Sequence, residues 1–440
     1  DGSDAEGGAV VVMNVKTGQI LACASYPTYD LSSFREDWND LMAAPFDPMF
    51  NRALQATYPP GSTYKMSMVI AGIDAGIVHQ YTNIYDKGVY TAYEGFNPKC
   101  LQYTKYGYGH EDTNAMKALE KSCNYYFYEL ANQMNIEAID STAKGLGLGE
   151  ATGIELGEKL GYRANAENKA LLNKNNPDET AVNWYAADQV MAAIGQSINQ
   201  FSPMQLCVYT STLANRGIRY KATFLNRVVS SDYRQLEFKN QPQILSTMDI
   251  SDDAYYAYST GMQLAASYGT AQATFGNYPI PVAAKTGTAQ HGLGAQYSDH
   301  GAFICYAPAD DPQIAVVVYG EKAGHGTTMG QIAKIDVSEA KALLEGVKVT
   351  VMCDVENPLY GPTGAAYVFG PQKGANKEMV VRLDNNLRKL ADTIQRELGL
   401  EVGFTPNTAD VRIAQYELGM RKPREALLRR IAEVLDVSYS

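Results

Sequence analysis

The sequence lacks a long apolar run, a secretion signal and an excess of basic residues. No stretch of about 18 apolar residues occurs in the chain, so we expect no membrane-spanning helix in it. The first eight residues, DGSDAEGG, contain neither the basic nor the apolar segment of a signal peptide. The net charge of −11 argues against a protein dominated by nucleic-acid binding, which usually carries a basic excess.

Cysteine is also scarce. The six cysteines form neither a C-x-x-C pair nor a zinc-type spacing, and the carboxylates show no metal-ligand spacing. We therefore expect no metal site and no cofactor, and the cysteines leave the redox compartment open. Hydrophobic residues make up 45% of the 440-residue chain, which provides for sizeable cores and excludes wholesale disorder.

Tyrosine and arginine are distributed unevenly along the chain. Residues 1–334 hold 27 of the 31 tyrosines and seven arginines, whereas residues 335–440 hold four tyrosines and eight arginines. Such a shift usually marks a domain boundary or a change of evolutionary origin. No linker rich in Pro, Gly or Ser separates the two parts.

Apolar runs near both ends of the first part predict one sheet. Residues 8–15 and 19–25 are apolar and β-branched, and Lys16-Thr17-Gly18 between them predicts a hairpin. Three later runs separated by turn residues predict an antiparallel meander over Ile280–Thr286, Ala302–Ala307 and Ile314–Tyr319.

The segment between the hairpin and the meander is mostly helical in pattern. One helix is predicted to start near Ser62, with Met66, Met68, Val69 and Ile70 on its buried side, and another to span Asp252–Ala271. The simplest assembly is an α+β fold with one five-stranded antiparallel sheet, helices on its faces and a large helical subdomain.

Ser62-Thr63-Tyr64-Lys65 is an S-x-x-K motif. Positions i and i+3 share a helix face, so the Lys65 amine can reach the Ser62 hydroxyl and take its proton. Alone the motif is weak evidence, because Ser141–Lys144 and Ser338–Lys341 also fit it.

Two further motifs offer polar groups, and each has a second copy. Lys285-Thr286-Gly287-Thr288 ends a strand of small residues, where an ammonium suits a ligand carboxylate, but Lys16-Thr17-Gly18 repeats it in the predicted hairpin turn. Ser122-Cys123-Asn124 is an S-x-N, repeated at Ser197-Ile198-Asn199, and such residues are more often caps or turns.

The order of the three motifs is more specific than any one of them. Ser62 follows Pro-Pro-Gly, Ser122 comes sixty residues later, and Lys285 lies on the first strand of the meander. The accompanying text includes GGAVVVMNVKTGQILACASYPTYD, NRALQATYPPGSTYK, KSCNYYFYELA, AAIGQSINQFSPMQL and AAKTGTAQ. On these motifs, residues 1 to about 334 resemble the penicillin-recognising serine acyltransferases, and most closely the transpeptidase domain of class B penicillin-binding proteins.

The resemblance implies a peptidoglycan D,D-transpeptidase that works through a serine acyl-enzyme and is inhibited by β-lactams. Ser62 would attack the D-Ala-D-Ala carbonyl, with Lys65 as its general base. Ser122 and Asn124 would relay protons and hold the substrate amide.

The resemblance also implies a substrate-binding strand and an oxyanion hole. The substrate carboxylate would be bound by the strand residues Lys285, Thr286, Gly287 and Thr288. The backbone N–H groups of Ser62 and Thr288 would form the oxyanion hole. His325 we interpret as a turn or surface residue rather than a base.

The implied partners are peptidoglycan stem peptides, β-lactam antibiotics and a cell-wall synthesis complex, and we expect no nucleic-acid partner. The implied location is the extracytoplasmic face of the cell membrane. Members of the family usually begin with a membrane anchor and a non-catalytic pedestal domain. Because this chain starts at the first catalytic strand, we expect the anchor to be absent from it.

The C-terminal part resembles two other proteins. Residues 335 to about 403, with VKVTVMCDVENPLYGPTGAAYVFGPQKGA, resemble a piece of a bacterial glycerate kinase. Residues 408–440, with DVRIAQYELGMRKPREALLRRIAEVLDVS, resemble the second half of a helix-turn-helix repressor domain. Cell-wall crosslinking occurs outside the membrane and the other two activities inside it. We therefore interpret the chain as a chimeric or misassembled reading frame with junctions near 334 and 405, and we assign domains to residues 1–345, 346–405 and 406–440.

Three alternatives stay open at this point. A β-lactamase or D,D-carboxypeptidase of the same fold would hydrolyse its acyl-enzyme, and Glu155 and Glu167 remain candidates for the base a β-lactamase needs to activate water. A β-lactam-sensing DNA-binding regulator rests on residues 408–440 alone. The third alternative is an inactive chimeric fragment.

Overall fold

The computed structural model describes residues 5–231, 234–289 and 299–323, together with residues 367, 376–382, 384, 385 and 388. The chain divides into two compact units, Asp1–Ile335 and Asp336–Ser440. The predicted boundaries at 345 and 405 stay predictions. The predictions made for His325, Ser338–Lys341 and residues 408–440 concern positions outside the described residues. No helix in the described part of the chain is long and apolar enough to cross a membrane.

The described strands of the first unit are short in its middle and longer at its ends. In chain order they are β1 (Gly7–Asn14), β2 (Ile20–Tyr26), β3 (Ile84–Asp86), β4 (Glu111–Thr113), β5 (Ile218–Tyr220), β6 (Arg227–Val229), β7 (Leu236–Lys239), β8 (Ile244–Thr247), β9 (Ala283–Ala289), β10 (His300–Ala307) and β11 (Ile314–Glu321).

The helices fill the interval between β2 and β9. In chain order they are α1 (Trp38–Ala43), α2 (Arg52–Gln55), α3 (Lys65–Asp74), α4 (Leu101–Tyr106), α5 (Ala115–Glu120), α6 (Asn124–Asn132), α7 (Ile136–Gly145), α8 (Ala166–Asn173), α9 (Ala186–Ala192), α10 (Pro203–Ala214), α11 (Asp252–Ser267) and α12 (Gln272–Phe275). Two 3₁₀ turns, Gly61–Tyr64 and Glu179–Val182, accompany them.

Five strands form the main sheet in the order β2-β1-β11-β10-β9, and every neighbouring pair is antiparallel. The predicted five-stranded antiparallel sheet and the α+β fold are thus confirmed. The hairpin turn has Gly18 at φ +79°, and a β carbon there would lie 2.0 Å from the Lys221 carbonyl oxygen. Glycine is therefore required at this turn.

The sheet is covered on both faces. Val11, Ile304 and Val317 belong to the larger core, which includes α10, whereas Val12 and Phe303 belong to a smaller core that includes Phe275 of α12. Because alternate residues are buried on opposite faces, the strands are apolar throughout rather than alternating. Strands of this kind can be predicted from the sequence, because each one forms a continuous apolar run.

Away from the Ser62 turn, three differences from the sequence prediction stand out. The strand predicted from Ile280 begins at Ala283, after Pro281, which has no backbone N–H to pair. The helix predicted to reach Ala271 ends at Ser267, because Tyr268 has φ −133°. The six short strands β3 to β8 were not predicted, since three or four residues cannot display a period of two.

Candidate active site

Ser62 lies in the 3₁₀ turn Gly61–Tyr64, directly before α3. The predicted helix is therefore present, but its α-helical part starts at Lys65, three residues later than Ser62. Gly61 has φ +54° and its N–H donates to the Gly195 carbonyl at 3.0 Å. A β carbon on Gly61 would lie 2.6 Å from the Thr288 carbonyl oxygen. Three backbone segments thus pack closely here, and Ser62 is held beside β9.

The predicted base, Lys65, is fully buried at the start of α3. Its Nζ lies 2.9 Å from the Ser122 carbonyl oxygen, 2.7 Å from the Asn124 Oδ1 and 3.3 Å from the Cys123 carbonyl oxygen. Burial lowers the pKa of Lys65 to about 8. At neutral pH a substantial minority of such a lysine is the free amine, which can accept a proton.

The Ser62 hydroxyl makes no hydrogen bond with another described residue, and the side chain is half-buried. The S-x-N loop, rather than the nucleophile, holds the Lys65 amine in this structure. Catalytic hydrogen bonds in ligand-free enzymes are often long or unformed and tighten when substrate binds.

Ser122 joins α5 to α6 in a left-handed backbone conformation, with φ +55°. The turn is closed by the Cys123 N–H, which donates to the Ala118 carbonyl at 2.9 Å. Asn124 then begins α6, and the Cys123 sulfur accepts from the Tyr126 N–H at the helix start. This tight reversal points the carbonyls of residues 122 and 123 at Lys65.

Lys285 of β9 completes the polar centre. Its Nζ donates to the Ser122 Oγ at 2.9 Å and to the Thr286 carbonyl at 2.8 Å, while the Lys65 Nζ is 3.5 Å from the same Oγ. Burial, and secondarily the charge of Lys65, hold the pKa of Lys285 well below its usual value. The Ser122 hydroxyl therefore bridges two buried amines, an arrangement that can pass a proton between them.

The rest of the predicted binding strand faces the Ser62 turn. β9 is the last strand in the sheet order, paired on one side with β10. A β carbon on Gly287 would lie 2.8 Å from the Pro60 carbonyl oxygen, so this position has no room for a side chain. The Thr286 hydroxyl lies 2.7 Å from that of Thr270. The structure thus gathers all eight predicted residues at one edge of the sheet.

Neither carboxylate left open for a water-activating role contacts this centre. Glu155 accepts hydrogen bonds from the Thr223 hydroxyl at 2.5 Å and the Phe224 N–H at 2.9 Å. Glu167 lies in the first turn of α8, which has no buried residue.

A second polar cluster lies behind the S-x-N loop and was missed by sequence analysis. Donor atoms of four residues lie within 4.8 Å of one another: Asp86, Cys100, His110 and Cys123. Carboxylate, thiol and imidazole groups are the ligands of tetrahedral Zn²⁺, whose donor atoms are about 3–4 Å apart. The set could therefore hold such an ion. Its members are spread over 38 residues without regular spacing, so no motif signals it.

Hydrogen bonds order this cluster. The Asp86 Oδ2 lies 2.8 Å from the His110 Nδ1 and accepts from the His110 N–H at 2.9 Å, while the Gly88 N–H donates to Oδ1 at 2.7 Å. Burial alone would lower the pKa of His110, but its contacts with Asp86 and Cys100 raise it to about 9. Protonated His110 and ionised Asp86 thus form a nearly buried ion pair.

Comparison with known proteins supports the resemblance to the penicillin-binding protein transpeptidase domain. The penicillin-binding protein transpeptidase domain family matches residues 8–342, and the glycerate kinase family matches residues 318–409. A curated relative, the peptidoglycan D,D-transpeptidase MrdA of Acinetobacter baumannii, is 32% identical over 346 residues, covering 74% of this chain and 49% of the relative. The chain therefore spans about half the length of the curated relatives it matches.

The solved structures that are similar to the chain include two penicillin-binding proteins. PBP2 of Pseudomonas aeruginosa in complex with WCK 5153 is 27% identical with a TM-score of 0.65, covering 75% of this chain and 70% of that one. Penicillin-binding protein A of M. tuberculosis, as a ceftriaxone acyl-enzyme complex, is 25% identical with a TM-score of 0.63, covering 75% and 72%. With its sheet, its ordered motifs and a family match over three quarters of its length, the chain belongs to the penicillin-binding protein transpeptidase domain family.

Proposed function

We propose that the first unit is a D,D-transpeptidase that crosslinks peptidoglycan stem peptides through an acyl-enzyme on Ser62. The observation that carries the proposal is the Ser122 hydroxyl held between two buried amines, Lys65 and Lys285, beside the Ser62 turn. A hydroxyl nucleophile needs an adjacent base, and a desolvated lysine supplies one. The name of the Acinetobacter relative supports this reaction class.

In the acylation step the Ser62 Oγ attacks the carbonyl of the penultimate D-Ala and its proton passes to Lys65. The Lys65 Nζ lies within hydrogen-bonding distance of acceptors on Ser122, Cys123 and Asn124. An ammonium supplies three protons to them, whereas the neutral amine supplies two and keeps one lone pair for the Ser62 proton. The amide bond breaks, and the terminal D-Ala leaves as the amine after receiving a proton.

That proton can return through the serine of the S-x-N loop. The Ser122 Oγ receives a hydrogen bond from Lys285 and lies 3.5 Å from Lys65, so it can pass a proton to the leaving amine. Deacylation runs the same path in reverse, with the amine of a second stem peptide as the attacking group. A β-lactam acylates Ser62 in the same way, but its opened ring stays attached and blocks deacylation.

Strand β9 supplies the binding surface. We infer that the substrate lies along the edge of β9 away from β10, with its carboxylate near Lys285, Thr286 and Thr288. The N–H groups of Ser62 and Thr288 are suited to form the oxyanion hole, since the Thr288 backbone packs against Gly61. Gly287 leaves the backbone bare at the point of closest approach.

The finer assignments rest on the family resemblance. We propose stem peptides and β-lactams as the small-molecule partners, a cell-wall synthesis complex as the protein partner, and the extracytoplasmic face of the membrane as the site of action. A hydrolase of the same fold remains the rival, and the hydrogen bonds that engage Glu155 at Thr223 and Phe224 argue against that residue as its water-activating base.

The decisive experiment separates these two enzymes. The chain is incubated with a fluorescent penicillin, and the covalent adduct is mapped by peptide mass and followed over hours. A transpeptidase is expected to give a long-lived adduct on Ser62 and to transfer a model stem peptide to an added amine. Rapid turnover of the adduct, or an adduct on Ser141, contradicts the proposal.

We propose that the chain is a chimera and that its second unit is the part that is foreign to the transpeptidase. The glycerate kinase match at 318–409 contains the predicted segment 335–403 and overlaps the end of the transpeptidase match. The helix-turn-helix resemblance at 408–440 stays a prediction. Truncation after Glu345 is expected to leave a protein that labels with penicillin, whereas loss of labelling, or a protease-resistant fragment 346–440, would show a functional tail.

A further inference from the structure

The loop that follows α9 reaches both halves of the proposed oxyanion hole. The Gly195 carbonyl accepts from the N–H of Gly61, the residue before Ser62, at 3.0 Å. The Gln196 Nε2 donates to the Thr288 carbonyl at 3.3 Å. We propose that Gln196 is a positioning residue for the acylation of Ser62. Its amide holds β9 at the distance from the Ser62 turn at which the N–H groups of Ser62 and Thr288 meet the same oxygen.

The backbone of Gln196 is fixed on both sides. Its N–H donates to the Met191 carbonyl at 3.1 Å, and its carbonyl accepts from the Asn199 N–H at 3.3 Å. The neighbours Gly195 and Ser197 both have positive φ, +72° and +61°. A left-handed backbone at a residue other than glycine costs energy and persists only where the surrounding structure imposes it. The loop therefore holds the start of the Gln196 side chain in one place.

This loop, the Ser62 turn and β9 pack backbone against backbone. A β carbon on Gly195 would lie 2.1 Å from the Gly61 carbonyl oxygen, and one on Gly61 would lie 2.6 Å from the Thr288 carbonyl oxygen. β9 is the last strand in the sheet order and is paired on one side with β10. Its position relative to the Ser62 turn therefore depends on contacts with neighbouring loops, and the Gln196 amide supplies one of them.

The position of Thr288 decides how well the hole stabilises developing charge. Donors of an oxyanion hole act at about 2.7–3.1 Å from the oxyanion, and removal of one donor costs about 100-fold to 1,000-fold in rate. Thr288 takes part in both contacts, because its N–H is the proposed donor and its carbonyl is held by Gln196. A misplacement of about 1 Å can cost about 100-fold, so partial loosening of this donor should cost about tenfold.

The test uses the full chain and stopped-flow labelling by a fluorescent penicillin. This measurement separates the dissociation constant of the first, non-covalent complex from the rate constant of acylation. Gln196→Leu keeps the size of the side chain without a donor, and Gln196→Glu keeps its shape with acceptors only. Both variants should acylate about tenfold more slowly. The dissociation constant should not change, because the hole acts mainly on the tetrahedral transition state.

A matched glutamine provides the control. The Gln189 Nε2 donates to the carbonyls of Ala131 and Met134, at 2.7 Å each, away from β9. Gln189→Leu should lower the melting temperature without changing the acylation rate constant. Each rate constant is read from the fraction of protein that labels at completion, so a partly unfolded variant loses amplitude and not rate. An arylboronic acid, which binds a serine Oγ as a tetrahedral anion, should bind the Gln196 variants about tenfold more weakly.

Three results would overturn the inference. One is an unchanged acylation rate constant in both Gln196 variants, and another is a weakening of the first complex as large as the loss of rate. The third is faster acylation, which would mean that the Gln196 amide competes with the substrate for the Thr288 carbonyl. The inference rests on the proposed function. A wild-type chain that does not label at Ser62 would contradict both, whereas normal wild-type labelling with unchanged Gln196 variants would contradict the inference alone.

Discussion

The tripeptide Lys-Thr-Gly occurs twice, in opposite surroundings. Lys16 stands in the β1–β2 turn with 48% of its side chain exposed, and its Nζ pairs with Asp311 at 3.2 Å. Lys285 lies in the middle of the sheet edge, fully buried, and donates to Ser122. The same three letters thus give a solvated turn in one place and a buried amine within the polar centre in the other. The sequence around the motif, not the motif, decides its chemistry.

The other two motifs repeat the contrast. Ser141 of the second S-x-x-K is exposed on α7, where its hydroxyl donates to the Ala138 carbonyl at 3.2 Å. Ser197 of the second S-x-N has φ +61°, almost the conformation of Ser122. Its Asn199 is buried but holds backbone groups of Ala164 and Ala192. The loop at the candidate site and a structural loop therefore share nearly the same backbone φ at their serines.

The contrast between Ser62 and Ser141 should give the largest experimental effect. Ser62→Ala should abolish covalent labelling by penicillin, because the neighbouring Thr63 hydroxyl is fully buried and donates to the Pro60 carbonyl at 2.7 Å. Ser141→Ala should label at the wild-type rate. Gel fluorescence after a fixed incubation measures both, and residual labelling of Ser62→Ala at another serine would contradict the assignment.

The two lysines provide the next largest contrast. Lys285→Ala should slow acylation about 100-fold, since removal of one preorganised group that stabilises developing charge costs about that much. Lys16→Ala should not change it. The second-order labelling rate separates the variants, with thermal melting as the control for folding. Equal rates in the two variants would show that β9 does not bind the carboxylate.

The pH profile gives a smaller effect. The buried Lys65 has its pKa lowered to about 8, so its neutral, proton-accepting fraction grows as pH rises through that value. Labelling should accelerate nearly tenfold, as an order of magnitude, between pH 6 and pH 7 and level off above about pH 9. A base with the ordinary lysine pKa of about 10.4 would give no plateau below pH 10. A profile that is flat from pH 6 to pH 9 would rule out Lys65 as the base.

The smallest effect concerns stability at the hairpin. Lys16→Ala breaks the pair with Asp311, whose side chain is 74% exposed. Exposed ion pairs contribute about 0–1 kcal/mol, so the free energy of unfolding should fall by no more than about 1 kcal/mol. Urea denaturation measures this free energy. A loss of several kcal/mol would mean that Lys16 contributes more to stability than an exposed ion pair does.

Much of this fold could be predicted because its sheet is apolar on both faces. The runs around Val11 and Val317 are recognisable without any partner, and their turn residues mark the hairpin and the meander. The ordered motifs predicted residues that the structure brings together at one edge of the sheet. What could not be predicted depends on distant contacts: the burial of Lys65, the left-handed Ser122, and the cluster of Asp86 and His110 with the two cysteines.

The pairing of β1 with β11 has a consequence for how the chain is made. Residues 7–14 pair with residues 314–321, so β1 finds one of its two neighbours in the sheet only after nearly all of this unit has been synthesised. Until then the β1–β2 hairpin presents an open apolar edge, which invites wrong pairing. The helices between can gather local contacts first, whereas the sheet closes last and slowly. A chain released before residue 321 therefore has Ser62 and the S-x-N loop but lacks the complete strand that joins β1 to β10.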